Sequence, residues 1–355
     1  MRILFFPKRC CPFHGKTLEE RAIGGTETAV IHLAQSLHEL GEEVFVVSEE
    51  TEIPATHPPY ISVKEIDRHG PYDVVIVVRD WRGAFLPLPT ERIFLWTGDS
   101  WDHHFTFGIG DPRVIVKLDG LLAVSNWHAD TLSQASSFPR EKIHVLPNGV
   151  NLADFQGEEV RRKRLIYTAS PERGLIYLPE IFTELKKKHP DLELAVFSSF
   201  DRYNADVPVI VMEDRPFFPV FQKLAQLPGC TVHQSVLQKD LAREFMRSSI
   251  FAYPNHFEET SCISVMEAHA AGCTIVTSDL AALKETVGEA GFLITGDHDS
   301  EAYRRQFIEA CDKLLSDPAL FERYSKLGKK QAQQTDWKIR AQGLLAYLKG
   351  EKDAV

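Results

Sequence analysis

Two glutamates, Glu259 and Glu267, bracket the run Glu259-Thr260-Ser261-Cys262-Ile263-Ser264-Val265-Met266-Glu267-Ala268. The run starts just past an apolar segment, Ile250–Tyr253, that reads as a strand, and it opens a helix expected over Ile263–Ala271. Thr260, Ser261 and Ser264 are small, so backbone N–H groups at that helix start stay accessible. Those groups and the helix dipole favour an anion such as a pyrophosphate. Glu259 lies in the loop and Glu267 further into the helix, so the two need not face the same group. One carboxylate can accept hydrogen bonds from sugar hydroxyls while the other clamps a ribose diol.

Gly24-Gly25-Thr26-Glu27 falls between the first expected strand and the first expected helix. Paired glycines let a backbone come close to a ligand, and the next helix offers its positive end. The loop lacks a full GxGxxG, which makes it weak evidence for dinucleotide binding. Thr168-Ala169-Ser170-Pro171-Glu172-Arg173-Gly174-Leu175 follows another strand and places the cation Arg173 in the loop after it.

Trp96-Thr97-Gly98-Asp99-Ser100-Trp101-Asp102-His103-His104 mixes aromatic rings with titratable groups after a strand end. Asp99 or His103 can orient an acceptor hydroxyl there, and Trp96 or Trp101 serves equally as core or as a platform for a sugar ring. His128, after Ser125-Asn126-Trp127, fits a capping and packing role as well as a chemical one. Asp297-His298-Asp299 has the DxD pattern of metal sites but lies late, in a polar loop, and reads as a helix start. The six cysteines show no CxxC spacing, and Cys10-Cys11 with His14 lacks a fourth ligand. No metal site is expected, and idle thiols imply a reducing, cytoplasmic compartment.

These residues need elements to position them. Short apolar runs alternate with helix-period stretches, the pattern of parallel sheets covered by helices. Strands are expected at Ile3–Phe6, Val44–Val47, Asp73–Val78, Arg92–Trp96, Leu121–Val124 and Ile143–Leu146, with a helix over Thr26–Leu40. After the polar stretch Asn151–Arg164, whose Arg161-Arg162-Lys163-Arg164 cluster reads as a solvated linker, the alternation resumes at Leu165–Thr168. Two doubly wound α/β domains facing one cleft follow, over residues 1–160 and 161–334. A terminal helix, in residues 335–355, must bury its apolar face elsewhere.

At 355 residues there is room for two cores. A hydrophobic share of 44% with 25% charged residues is that of a soluble globular chain. The net charge of −10 argues against general nucleic-acid binding. No run approaches the roughly 20 apolar residues of a membrane span, and Met1–Phe6, broken by Pro7, is too short for a signal peptide.

The glutamate pair, its small-residue turn and the following Glu267-Ala268 resemble the motif of retaining family-4 GT-B glycosyltransferases. The resemblance runs over nearly the whole chain, is strongest over 250–294, and includes the Pro147-Asn148-Gly149-Val150 turn. It implies the GT-B fold, with the Trp337 helix crossing back to the first domain. It implies that Glu259 contacts the transferred sugar and Glu267 the nucleotide ribose. It also implies that Arg173, Gly24, Gly25, Thr26 and the helix start at Cys262, Ile263 and Ser264 hold the donor. The expected activity is retaining transfer of a sugar from a nucleotide-sugar to a hydroxyl acceptor (a glycan, a lipid-linked or a small molecule), with catalytic candidates Glu259, Arg173, Asp99 and His103. No cofactor or metal is implied, and peripheral contact with a membrane is compatible. One departure stands out: Thr168 occupies the place of the family's Arg, and Arg173 that of its Lys. Two rivals remain, a non-catalytic nucleotide-sugar binding protein and a dinucleotide-dependent oxidoreductase, for which Glu42 or Glu43 would read the ribose.

Overall fold

The computed structural model describes residues 1–198 and 215–351. They divide into two units, Met1–Gly149 with Thr335–Val355, and Val150–Gln334.

The first unit is built on seven parallel strands: β1 (Arg2–Lys8), β2 (Glu43–Val47), β3 (Tyr60–Ile61), β4 (Val74–Arg79), β5 (Ile93–Trp96), β6 (Gly120–Ala123) and β7 (Ile143–Val145). Their spatial order is β3-β2-β1-β4-β5-β6-β7. The strands are apolar on both faces because both faces are covered. Ile3, Phe5, Val44, Val46, Val74 and Ile76 pack with Val30, Leu33 and Leu37 of the helix Gly25–Glu39. Their neighbours Leu4, Phe6, Phe45, Val47, Val75 and Val77 join the opposite core with Leu132 of the helix Asn126–Ser136.

The terminal helix Trp337–Lys349 completes the first of these cores with Trp337, Ala341, Leu344, Leu345 and Leu348. Asp336 caps it, accepting from the Lys338 N–H at 2.8 Å. Trp337 lies so close over Gly149 that a Cβ there would come within 2.7 Å of its ring.

The second unit has six parallel strands: β8 (Arg164–Tyr167), β9 (Glu193–Phe197), β10 (Cys230–His233), β11 (Ile250–Tyr253), β12 (Thr274–Ser278) and β13 (Gly291–Ile294). The order is β10-β9-β8-β11-β12-β13, so the sheet reverses its winding between β8 and β11. Loops leaving the carboxyl ends of those two strands meet at the point where such sheets bind ligands.

The expected linker is not one. The second unit begins at Val150 rather than at 161, because Phe155 already packs on its core and Glu159 pairs with Arg247 at 2.8 Å. Arg161 donates to the Ala271 carbonyl at 2.7 Å and to that of Ser248. Arg164 is buried, donating to the Glu244 carbonyl at 2.8 Å and its carboxylate at 2.7 Å. These two cations satisfy carbonyls at the ends of the helices Gln238–Met246 and Ile263–Ala271, where the dipole favours positive charge.

Candidate functional site

In the second unit the loop after β8 carries Arg173 and the loop after β11 carries Glu259. The Arg173 Nη1 donates to Glu259 Oε1 at 2.9 Å. Tyr253, the last residue of β11 and fully buried, donates its hydroxyl to the same oxygen at 2.5 Å. Burial, and then the Glu259 charge, push the Tyr253 phenol well up, so it stays a donor. The Arg173 guanidinium stacks 4.4 Å from the centre of the Phe257 ring. Asn255 closes the intervening loop, donating to the Phe257 carbonyl at 2.6 Å and accepting from its N–H at 2.9 Å. Gly174 has φ +101°, and a Cβ there would run into the Pro254 carbonyl, so glycine lets the two loops touch. Glu259, 6% exposed, is thus a buried carboxylate with a cation and a hydroxyl on one oxygen.

Glu267 belongs to a separate environment. It projects from the helix Ile263–Ala271, whose N-cap, Cys262, makes no side-chain capping bond. Only 5% of Glu267 is exposed, and Gln238 donates its amide to Oε1. Burial raises its carboxyl to about 8; the Gln238 bond pulls it down and Asp154 pushes it up. The Cys262 thiol, fully enclosed, is pushed far up and stays protonated. Ile263 and Ser264 form the first turn of this helix. Thr168, in the place of the family's Arg, is buried, and its hydroxyl has no hydrogen-bond partner among the described residues.

In the first unit Gly24 is the N-cap of the helix that Gly25 and Thr26 begin. Glu27 beside them is buried and accepts from the Cys11 N–H at 2.9 Å, tying the helix to the loop after β1. Asp99 accepts from Arg79 Nε at 3.2 Å on one oxygen and faces His103 Nδ1 at 3.7 Å with the other. Burial, ahead of the opposing pull of Asp99, lowers the His103 imidazole. Arg79 ends β4 with φ +76° and lies 4.8 Å over the Phe105 ring. A non-glycine residue held in the left-handed region stores backbone strain, which tends to gather at functional sites.

Three sequence readings resolve here against chemistry. Trp96 is core, 3% exposed and edge-on to Phe5 at 6.2 Å, whereas Trp101 is 44% exposed. His128 is fully buried and lowered to about 4 by burial, so it is neutral. Its Nδ1 accepts from the Val124 N–H at 3.3 Å, which leaves Nε2 to donate to the Asp99 carbonyl at 2.9 Å. His128 therefore holds the Asp99 loop. Glu42 and Glu43 lie at the amino end of β2, paired with Lys349 and Arg2. A ribose reader belongs at the carboxyl end, and the dinucleotide reading loses its acidic residue.

Asp297-His298-Asp299 folds as a helix-start loop in which Asp299 accepts from the Tyr177 hydroxyl at 2.9 Å. Among the described residues no group of three or more His, Cys, Asp or Glu is placed to hold a metal. No helix among them is long and apolar enough to cross a membrane.

Tyr253, Gln238 and Arg79 escaped the sequence reading. Tyr253 has the pattern of an ordinary strand residue; its place before a loop carrying a buried acid is the only local signal. Gln238 and Arg79 meet partners far off in the chain, which no local pattern reveals.

Residues 162–317 match the family described as glycosyl transferases group 1. The match falls within the second unit. Curated relatives of the chain include a D-inositol 3-phosphate glycosyltransferase of Streptomyces avermitilis, 29% identical over 66% of this chain and 52% of that protein. An alpha-maltose-1-phosphate synthase of Mycolicibacterium smegmatis is 24% identical over 65% and 63%. The chain thus spans between about half and two thirds of the length of these relatives. Among solved structures, the Anabaena protein Alr3699/HepE, in complex with UDP-glucose, superposes with a TM-score of 0.74 at 13% identity, covering 99% of this chain and 100% of that one. Sucrose-phosphate synthase from Thermosynechococcus elongatus gives 0.72 at 14%, covering 99% of each. The fold is GT-B, two Rossmann-like α/β units. Within the matched residues lie Arg173, Glu259, Glu267, Gln238 and Tyr253; Asp99 and His103 lie in the first unit.

Proposed function

We propose that the chain is a retaining glycosyltransferase whose second unit binds a nucleotide-sugar donor. One observation carries this reading: Arg173 and Glu259 meet at the β8/β11 reversal, while Glu267 stands apart in the helix that follows. The name of one relative supports sugar transfer, and the UDP-glucose held by one similar fold supports a nucleotide-sugar donor. Glu259 accepts from hydroxyls of the transferred sugar, and Glu267 accepts from the ribose. Arg173 takes the diphosphate. A guanidinium has five N–H donors, so its Nη1 contact with Glu259 is compatible with a diphosphate contact.

Charge that builds on the departing diphosphate is met by a cation already in place, which is where such sites gain most of their rate. Asp99 and His103 serve the acceptor hydroxyl, whether of a glycan, a lipid-linked alcohol or a small molecule. Six free thiols support a reducing, cytoplasmic setting.

Incubation of the purified chain with UDP-, GDP-, ADP- and dTDP-sugars tests the reading. One donor should raise the unfolding midpoint by mass action and release its nucleoside diphosphate, with activity surviving EDTA. Stabilisation without turnover on any acceptor would favour a non-catalytic binding protein. Loss of activity in EDTA, restored by Mn²⁺, would contradict the metal-free site.

A further inference from the structure

Gln238 opens the helix Gln238–Met246, is half-buried, and reaches Glu267 far along the chain with its side-chain amide. The other groups around that carboxylate are identifiable element by element. Asp154, from the short helix Leu152–Phe155, is held by Asn151 at 3.0 Å and offset by Lys239. Cys262, at the start of the same helix as Glu267, is a protonated thiol. His269 faces Gly328 of the helix Pro318–Ala332, and Lys329 and Ser325 of that helix meet Gly272 at the opposite end. Gln238 is therefore the neutral donor that fixes this buried acid. An amide orients a carboxylate without neutralising it, as Lys or Arg would.

We propose that Gln238 is a positioning residue for the donor: by occupying Oε1 it fixes the Glu267 carboxylate and leaves Oε2 for the ribose diol. The proposal rests on the reading of Glu267 as the ribose ligand. Two consequences separate it from a merely structural role. Loss of the amide should weaken binding mainly where the full 2′,3′-diol is present, and much less where the 2′-hydroxyl is missing. It should also move the pH dependence of that binding upward, since the amide's bond favours the charged form.

The test uses the full chain and the Gln238→Met and Gln238→Asn variants. Affinity for UDP, GDP and ADP, and for their 2′-deoxy counterparts, is measured between about pH 6 and 9. Wild type should prefer one ribonucleotide over its deoxy form about tenfold, because an unmatched buried acceptor is costly. Gln238→Met, close in volume and lacking the amide, should lose about tenfold for the ribonucleotide and little for the deoxy form, with the midpoint of the pH dependence raised. Gln238→Asn, which keeps an amide on a shorter reach, should fall between. Equal losses for both nucleotides, or unchanged affinity and pH midpoint, would overturn the role of Gln238 alone. A wild type that binds none of these nucleotides, or does not discriminate, would overturn the donor reading of Glu267 and the proposal with it.

Discussion

Arg173 and Glu259 each supply the other's opposite charge, so a change at either acts on both. Arg173→Ala should cut kcat about 10²-fold, the scale on which one preorganised transition-state donor acts. It should also cost the second unit about 1–3 kcal/mol, since among the described residues Glu259 then keeps only the Tyr253 hydroxyl on that oxygen. Arg173→Lys should recover part of the rate, because an ammonium lacks the planar fork. Steady-state kinetics and a denaturant titration of the same samples check both. A normal kcat would mean that the phosphate site lies on another loop. Type and spacing single out Arg173, Glu259 and Glu267 as candidates in the sequence, but the Arg173–Glu259 ion pair joins loops distant in the chain. Local pattern carries no trace of it.

The helix Ile263–Ala271 carries its acid inside, and that sets a pH dependence with a definite sign. The folded chain holds the Glu267 proton far more tightly than an unfolded one would, with a carboxyl near 8 against an ordinary 4.5. The stability this supplies is complete below about pH 4.5 and is lost as pH rises through about 8. Glu267→Gln keeps the shape and removes the ionisation, so its stability relative to wild type should grow with pH. The expected gain is on the order of 3 kcal/mol between pH 4.5 and 7, read from unfolding midpoints at several pH values. A difference that is flat with pH would mean that Glu267 is solvated. Strands and helices were legible from apolar runs because both sheets are covered on both faces. Arg161 and Arg164 were misread because a cation closing a helix end looks, in sequence, like a cation in water.

At the scale of the whole molecule the chain leaves the first unit after Gly149 and returns to it at Thr335. That return is an energetic commitment. Trp337 is buried against Gly149 and stacks on His32 at 6.2 Å, so Trp337→Ala should cost about 3–5 kcal/mol in chemical unfolding. A loss within about 0.5 kcal/mol would mean that the terminal helix is dispensable. The apolar face of that helix was visible in the sequence, and the resemblance alone indicated which unit it would cover. The central claim is that the two buried glutamates of the second unit divide the donor between them. Calorimetric titration of the cognate nucleoside diphosphate at about pH 9, where the Glu267 carboxyl is ionised, into wild type, Glu259→Gln and Glu267→Gln tests it most directly. Affinity should be nearly unchanged in Glu259→Gln, whose partner is the absent sugar, and about tenfold or more weaker in Glu267→Gln. Equal losses in the two variants, or a loss confined to Glu259→Gln, would contradict the account.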